Sequence, residues 1–385
     1  GPASGQPGVR SERLLIYLGL SALATSVATL ALLLLGQASL PAVAHLLLAA
    51  GIMPLIFGAM THFIPVLTRS GAAPRSLLLA PILLQLAGAV SFLGFIGEAP
   101  PPALTAAAGS TLLLAAALAG WMNQRARRAL GTPHPCWRWY LAAVGLLGVA
   151  LLLVAAMACW PQARNTLRLL HLHLNVLGFV GLTALGTLQV LLPTVLNTAD
   201  PTASQRLRRH LPVAVGAVLL IATGAALSLP LALTGALLLS VVVLSLGRAI
   251  LAWQGWRRLL EDGAAAPLAG ALAGFLLLLG LGVGHAVGAL DGRDSILAFI
   301  VAFLLPLVTG ALTHLLPVWL LRGKRTARRD RLHTALRHGG TQRAFLFLTA
   351  GALLGLDVAA GLWPALLALL HFLGVVLRAL WADRE

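Results

Sequence analysis

Charge is scarce in this chain. Asp, Glu, Lys and Arg make up 10% of its 385 residues, where a soluble domain carries about a quarter. Acids are scarcer than bases, 11 against 27. Only Asp357 falls within a predicted membrane span, and a proton-coupled transporter normally places more acids there. Cysteine is almost absent. Cys136 and Cys159 end one predicted helix about 34 Å apart at 1.5 Å per residue, too far to pair with each other. The chain has no CxxC, which excludes a thiolate metal cage, and no CxxCH, which excludes a covalently attached c-type haem. HExxH and GxSxG are missing too. Of four methionines, only Met53 and Met60 share a span with a histidine, which argues against a methionine-based copper(I) relay. The glycine-rich stretches have no strand before them and no lysine after them, so they read as helix-packing surfaces rather than phosphate loops.

What is abundant is apolar sequence. Hydrophobic residues make up 59% of the chain, and mean hydropathy is +0.92. About 20 apolar residues cross a hydrocarbon core of ~30 Å as a helix. Lipid leaves helices or closed barrels as the spanning options, and these runs are too long and continuous for barrel strands. The runs predict twelve transmembrane helices, at 14–36, 41–67, 76–97, 102–122, 139–159, 166–196, 211–229, 231–253, 266–288, 295–321, 343–361 and 364–381. Gly1 to Gly8 reads as a cleaved tag and a flexible start. Residues 1–13 are set aside as that tag plus a cytoplasmic lead, leaving 14–385 as one transmembrane domain. No cleavable signal peptide is visible, so the first span is expected to serve as the targeting signal.

One phrase recurs about 126 residues apart. It reads GAMTHFIPVL around Pro65, GTLQVLLPTV around Pro193 and GALTHLLPVW around Pro317, with a glycine seven residues before each proline. A fixed period means a repeated structural unit. The expected fold is all-α: three four-helix repeats, 14–136, 137–262 and 263–385, arranged with pseudo-threefold symmetry. Spans 2, 6 and 10 carry the phrase and are expected to line the interior.

The net charge of +16 is a topology signal rather than a nucleic-acid footprint. Arg69, Arg75, Arg125, Arg127, Arg208 and Arg257 lie in loops after even-numbered spans, as does the run from Arg322 to Arg331. Loops after odd-numbered spans hold only Arg164, Arg168 and Arg293. Short basic loops stay cytoplasmic, so both termini are expected inside a bacterial inner membrane. The basic loops also suit anionic head groups of the lipid bilayer. The segment 322–343 is the longest inner loop.

The residues suited to chemistry are histidines. His45 and His173 each stand twenty residues before a repeat proline, in the outer half of spans 2 and 6. Two imidazoles at matched height across a helix gap are what a six-coordinate haem iron needs, and neutral imidazole also suits copper. His171 lies two residues from His173, roughly 200° around the helix, so only one of them faces a given cofactor. The other is free for a second site or for a partner such as Asn175. His285 ends span 9 on the outer side. At the inner ends, His62 and His314 precede a repeat proline by three residues. There they are expected to cap carbonyls freed by that proline, to meet lipid phosphate, or to begin a proton path, with Gln189 in the neighbouring slot of the second repeat. His371 lies in span 12 and aligns with none of the others.

In this arrangement the chain resembles the catalytic subunit of haem-copper oxidases, and the related NnrS-type haem and copper membrane proteins linked to nitric oxide. The stretch LHLHLNVLGFVGLTALGTL, Leu170 to Leu188, is similar to the HxH and glycine helices of that superfamily. The resemblance implies that His45 binds a low-spin haem b. It also implies a small gas such as nitric oxide as ligand and a quinol or cytochrome as electron donor. The chain departs from the family at three points. Leu297 stands where span 10 carries the family's HxH, span 7 lacks the paired copper histidines, and neither Tyr17 nor Tyr140 lies on span 6. The expectation is therefore haem binding by His45, His173 and His171, with electron transfer or nitric oxide handling and no complete oxygen-reducing centre. Copper held by His45, His171, His173 and His285 is an alternative. A cofactor-free transporter or channel with a histidine-lined path is the other.

Overall fold

The computed structural model describes residues 8–382. Every regular element among them is helical. Ten long helices follow in chain order: α1 (Gly8–Leu35), then α2 (Leu40–Leu67), α3 (Arg75–Phe95), α4 (Pro101–Arg127), α5 (Cys136–Cys159), α6 (Pro161–Val195), α7 (Ala203–Leu227), α8 (Leu229–Gln254), α9 (Ala265–Ala286) and α10 (Gly292–Leu320). A short helix α11 (Ala327–Arg337), then α12 (Gly340–Gly355) and α13 (Ala359–Ala382) complete the chain.

Eleven of these are long and apolar enough to cross a membrane: α1 to α10 and α13. Their outward faces are apolar as well. Leu113, Leu377 and Trp381 are 73%, 66% and 72% exposed. A water-soluble protein avoids large continuous apolar patches. Helices sheathed in leucine on the outside belong in a lipid bilayer, so the chain is a multi-pass helical membrane protein.

The eleventh predicted span is shorter than expected. It is α12, whose 16 residues reach about 24 Å. The predicted stretch ran to 361, but Asp357 adopts φ +62°, a left-handed conformation that a helix interior does not tolerate. Asp357 is thus exposed beyond the helix end rather than inside a span. Two other acids are buried in helices instead: Asp294 in the first turn of α10 and Glu12 in α1. The expected lead also differs. The cleaved tag lies outside the described residues save for Gly8, but 8–13 are the opening turns of α1, and Glu12 ion-pairs with Arg322 just beyond α10.

The three helices that carry the repeated phrase share one irregularity. Each widens from α to π geometry in its first half, at His45–Ile52 in α2, Leu174–Gly181 in α6 and Phe299–Leu304 in α10. Two of the causes are prolines. Pro54 and Pro306 stand eleven residues before Pro65 and Pro317, each at the start of the α-turns after the wide stretch. A proline offers no N–H to the carbonyl four residues back, which is Ala50 in α2 and Ala302 in α10. The Gln85 side-chain amide from α3 donates to the Ala50 carbonyl at 3.1 Å and to Ser21 Oγ at 2.6 Å, and Tyr17 donates to Gln85 Oε1. The neighbouring helix thereby replaces the lost donor.

Close backbone approach secures the same places. A Cβ on Gly88 of α3 would stand 2.5 Å from the Ala50 nitrogen, and one on Gly351 of α12 would stand 2.8 Å from the Ala302 nitrogen. In both cases a glycine of the third helix in the predicted repeat sits on the wide stretch of the second. The ends of α2 and α6 match too. Arg69 and Asn197, each four residues past the repeat proline, turn left-handed at φ +51° and +49°. The following amides, of Ser70 and Thr198, return to the Pro65 and Pro193 carbonyls at 2.9 and 3.1 Å. That is a helix-terminating arrangement.

The loop expected from 322 to 343 holds α11. The Thr326 hydroxyl caps it by accepting from the Arg329 amide, and Leu332 and Leu336 turn inward. Rather than standing free, the segment folds back on the ends of α10 and α13.

Candidate functional site

At one end of the bundle, His45 begins the wide stretch of α2 and His173 immediately precedes that of α6. Their hydrogen bonds are the same. His45 Nδ1 bonds to the Pro41 carbonyl at 2.7 Å and His173 Nδ1 to the Leu169 carbonyl at 2.8 Å, each four residues back. A carbonyl can only accept, so Nδ1 carries the proton and Nε2 keeps its lone pair. Among the described residues no hydrogen bond reaches either Nε2. A ring held at Nδ1–H by a carbonyl, with Nε2 open, is how ligating histidines are prepared. The His45 ring also packs on Phe95, with centroids 4.3 Å apart.

His171 is occupied differently. Its Nδ1 bonds to the Ala150 carbonyl of α5 at 2.7 Å, and its Nε2 meets the Asn175 amide at 3.3 Å. Both nitrogens are engaged, and the partner expected for one member of the HxH pair is found here. His285 is exposed at the end of α9, with Nδ1 3.4 Å from the Leu290 carbonyl. The histidines at this end fall into two neighbourhoods. His45 lies within range of the charge of His171, and His173 within range of that of His285. No three of His, Cys, Asp and Glu converge on one point among the described residues.

At the opposite end of the bundle, His62 and His314 hold the same slot of the repeated phrase, Gln189 takes the neighbouring slot in the second repeat, and each meets an arginine. The Gln189 carbonyl accepts from Arg206 Nε at 2.8 Å, and Arg206 closes on Asp200 at 2.7 Å. Burial pushes the Asp200 carboxyl up, but the hydrogen bond and charge of Arg206 outweigh it and leave the group below its ordinary value. His62 lies near Arg322 and sits edge-on to Trp319. His314 is buried against His333 of α11, ring centroids 5.1 Å apart, with Arg337 close by. Arg337 in turn reaches Asp262 at 3.4 Å and the Val195 carbonyl at 3.3 Å.

The expected capping by these two histidines is not found. Neither ring bonds a freed carbonyl among the described residues, and His314 Nδ1 is buried without a partner. The cause is α11, which covers His314 and removes it from lipid. His333, in the segment read as the longest inner loop, is half-buried with its own Nδ1 unpartnered. Burial first, then Arg337 and Arg329, lower its pKa to about 4. Arg343 went unnoticed in the sequence. It lies in α12, is 1% exposed and rests on the Phe372 ring at 4.8 Å. Its guanidinium donates to the His338 carbonyl and lies 3.5 Å from His371 Nδ1. The signal for it was position alone, an arginine at the first residue of a predicted span.

Between α2, α6 and α10 lies a cavity of about 100 Å³. Its walls are apolar, among them Ile56, Met60, Val180, Leu188 and Val308, apart from the hydroxyl corner of Tyr140 and Thr187 and the Trp319 indole. None of the histidines lines it. No family model matches the chain, and no curated protein matches it closely enough to assign it.

Proposed function

We propose that this chain is a haem-binding protein of a bacterial inner membrane, acting in electron transfer or nitric oxide handling. In this reading its fold is that of the haem-copper oxidase superfamily, closest in character to the NnrS-type proteins. Twelve spans, α1 to α10 with α12 and α13, form three four-helix repeats around a pseudo-threefold axis, and both termini are cytoplasmic. The matched wide stretches, the glycines packed on two of them and the paired left-handed residues all support the repeat.

One observation carries the cofactor reading: the common preparation of His45 and His173. Each has its proton fixed on Nδ1 by a carbonyl four residues back, and each presents an open Nε2. Neutral imidazoles so prepared would suit the iron of haem b, which would supply one-electron chemistry, and a place for a small gas where only one of the two ligates. The backbone carbonyls set the tautomer and ring direction, and Phe95 limits rotation of His45. His171, with both nitrogens engaged, positions α6 against α5 through Ala150. A quinol or cytochrome would be the electron donor.

The copper reading draws on the pairs His45 with His171 and His173 with His285. The Asn175 amide at His171 Nε2 counts against the first pair. The transporter reading needs a polar path, and the cavity shared by α2, α6 and α10 is apolar and excludes the histidines. Span 7 of the sequence reading, α7, carries one histidine near its start, His210, and no pair. We therefore expect no appreciable oxygen uptake from a reduced quinol or cytochrome at an oxygen electrode. Cyanide-sensitive turnover of about 10 s⁻¹, ordinary for an enzyme, would show a copper centre and overturn this reading. A Soret band in the absorption spectrum of the purified protein is the direct test of haem.

A further inference from the structure

Several arginines at the arginine-rich end of the bundle are internally satisfied. Arg125 donates to the Gly71 and Ala72 carbonyls, Arg258 to Leu196 and Thr198, Arg206 to Gln189 and Asp200, and Arg337 to Asp262 and Val195. Other arginines there make no such bond, and three of them share one cleft. Arg127, Arg138 and Arg208 are exposed. Among the described residues no hydrogen bond or ion pair reaches any of their guanidinium groups. All three line one cleft of about 210 Å³, together with Thr132, Trp137 and the prolines of the 132–135 turn.

The placement concentrates positive charge at one cleft. Arg138 stands in the first turn of α5 and Arg208 in the second turn of α7. Helix N-termini already carry partial positive charge, so these two cations add to it. No carboxylate lines the cleft. His134 beside it reports the resulting field, because burial and then Arg208 hold its imidazole below the ordinary value. The Arg138 guanidinium lies over the Trp137 ring at 5.8 Å, which braces it toward the opening. Leu130 on the same turn is 79% exposed, an apolar edge where the helices end.

We infer that Arg127, Arg138 and Arg208 form a binding site for one phosphate-bearing anion, of the chemistry of an anionic phospholipid head group. Guanidinium forks match phosphate oxygens in pairs. Thr132 offers a hydroxyl, and the Trp137 and Leu130 surface suits the glycerol and upper acyl chain. The site lies between the first and second predicted repeats, joining α4, α5 and α7.

Native mass spectrometry of the full chain in neutral detergent tests this. The probes are phosphatidylglycerol, phosphatidylcholine and inorganic phosphate. The wild-type chain is expected to retain one phosphatidylglycerol more firmly than phosphatidylcholine. Arg127→Gln, Arg138→Gln and Arg208→Gln are each expected to weaken that retention about 3- to 10-fold, and the triple variant to abolish it. Arg164→Gln/Arg168→Gln/Arg293→Gln removes as many charges elsewhere and should leave it unchanged. Displacement of the lipid by millimolar inorganic phosphate, lost in the same variants, keeps the site and assigns its anion to a soluble source. Equal loss in the control triple, or unchanged retention in all three single variants, overturns the inference. The single variants keep the test decisive if the triple fails to fold.

Discussion

Replacing Asp200 by asparagine tests the worth of one buried ion pair. The amide side chain would keep the oxygen that accepts from the Thr202 amide at 3.1 Å, but it would turn the oxygen facing Arg206 into an NH2 and so remove both the charge and that acceptor. Arg206 would then be a cation 8% exposed with no counter-charge. Breaking a buried pair in this way costs about 3–5 kcal/mol. Arg206 keeps its bond to Gln189, which places the expectation near about 3 kcal/mol, or about two decades in the folded-to-unfolded ratio. The Asp200 carboxyl titrates below its ordinary value of 3.8. A depressed carboxylate contributes stability that is present above the unfolded value and is lost as pH falls through the folded one. Thermal unfolding in mild detergent should therefore show Asp200→Asn less stable at neutral pH, with the gap closing in strong acid. Arg206→Met with Asp200→Asn should recover part of the loss, since the stranded charge is gone. A single variant as stable as wild type at pH 7 would refute the reasoning, because it would mean the pair is hydrated rather than buried.

Other expectations follow from particular contacts. Gly88→Ala and Gly351→Ala each place a Cβ against backbone atoms of a wide stretch. Both should lower thermal stability by about 1–3 kcal/mol, the range for overpacking, while Gly109→Ala on the open face of α4 should not. His333 has a folded pKa near 4 against an ordinary 6.5, so in that interval the unfolded chain holds a proton that the folded chain lacks. Stability should fall as pH drops from about 6.5 to about 4, and His333→Phe should flatten that slope in thermal scans. The same variant should leave any cofactor absorbance unchanged, since His333 lies at the opposite end of the bundle from His45 and His173.

The positions of the first ten predicted spans, and of the last, are recovered with ends within about eight residues, because uninterrupted apolar runs leave little else for the chain to do in lipid. The end of α12 was missed because Asp357 looks like any other span-edge residue until its left-handed backbone is seen. The wide stretches were not legible either. Almost every position from Leu174 to Leu192 and from Leu297 to Trp319 is buried, so no apolar periodicity distinguishes π from α, although Pro54 and Pro306 were a usable sign. The helix α11 did carry its own signal, a Thr326 cap and the Leu332 and Leu336 pair, and reading it as loop put His333 in solvent. Among the histidines, the matched height of His45 and His173 came from the repeat, and the separate role of His171 from helix geometry. Their grouping depends on long-range packing between helices that no local pattern encodes.

The central claim is that His45 and His173, with Nε2 open, hold a haem. The measurement that tests it most directly is the absorption spectrum of the purified protein, produced with haem supplied, beside those of His45→Ala and His173→Ala. The account predicts a Soret band in the unaltered chain that is lost or shifted in both variants. A wild-type spectrum without that band, or a band unchanged in both variants, would contradict it.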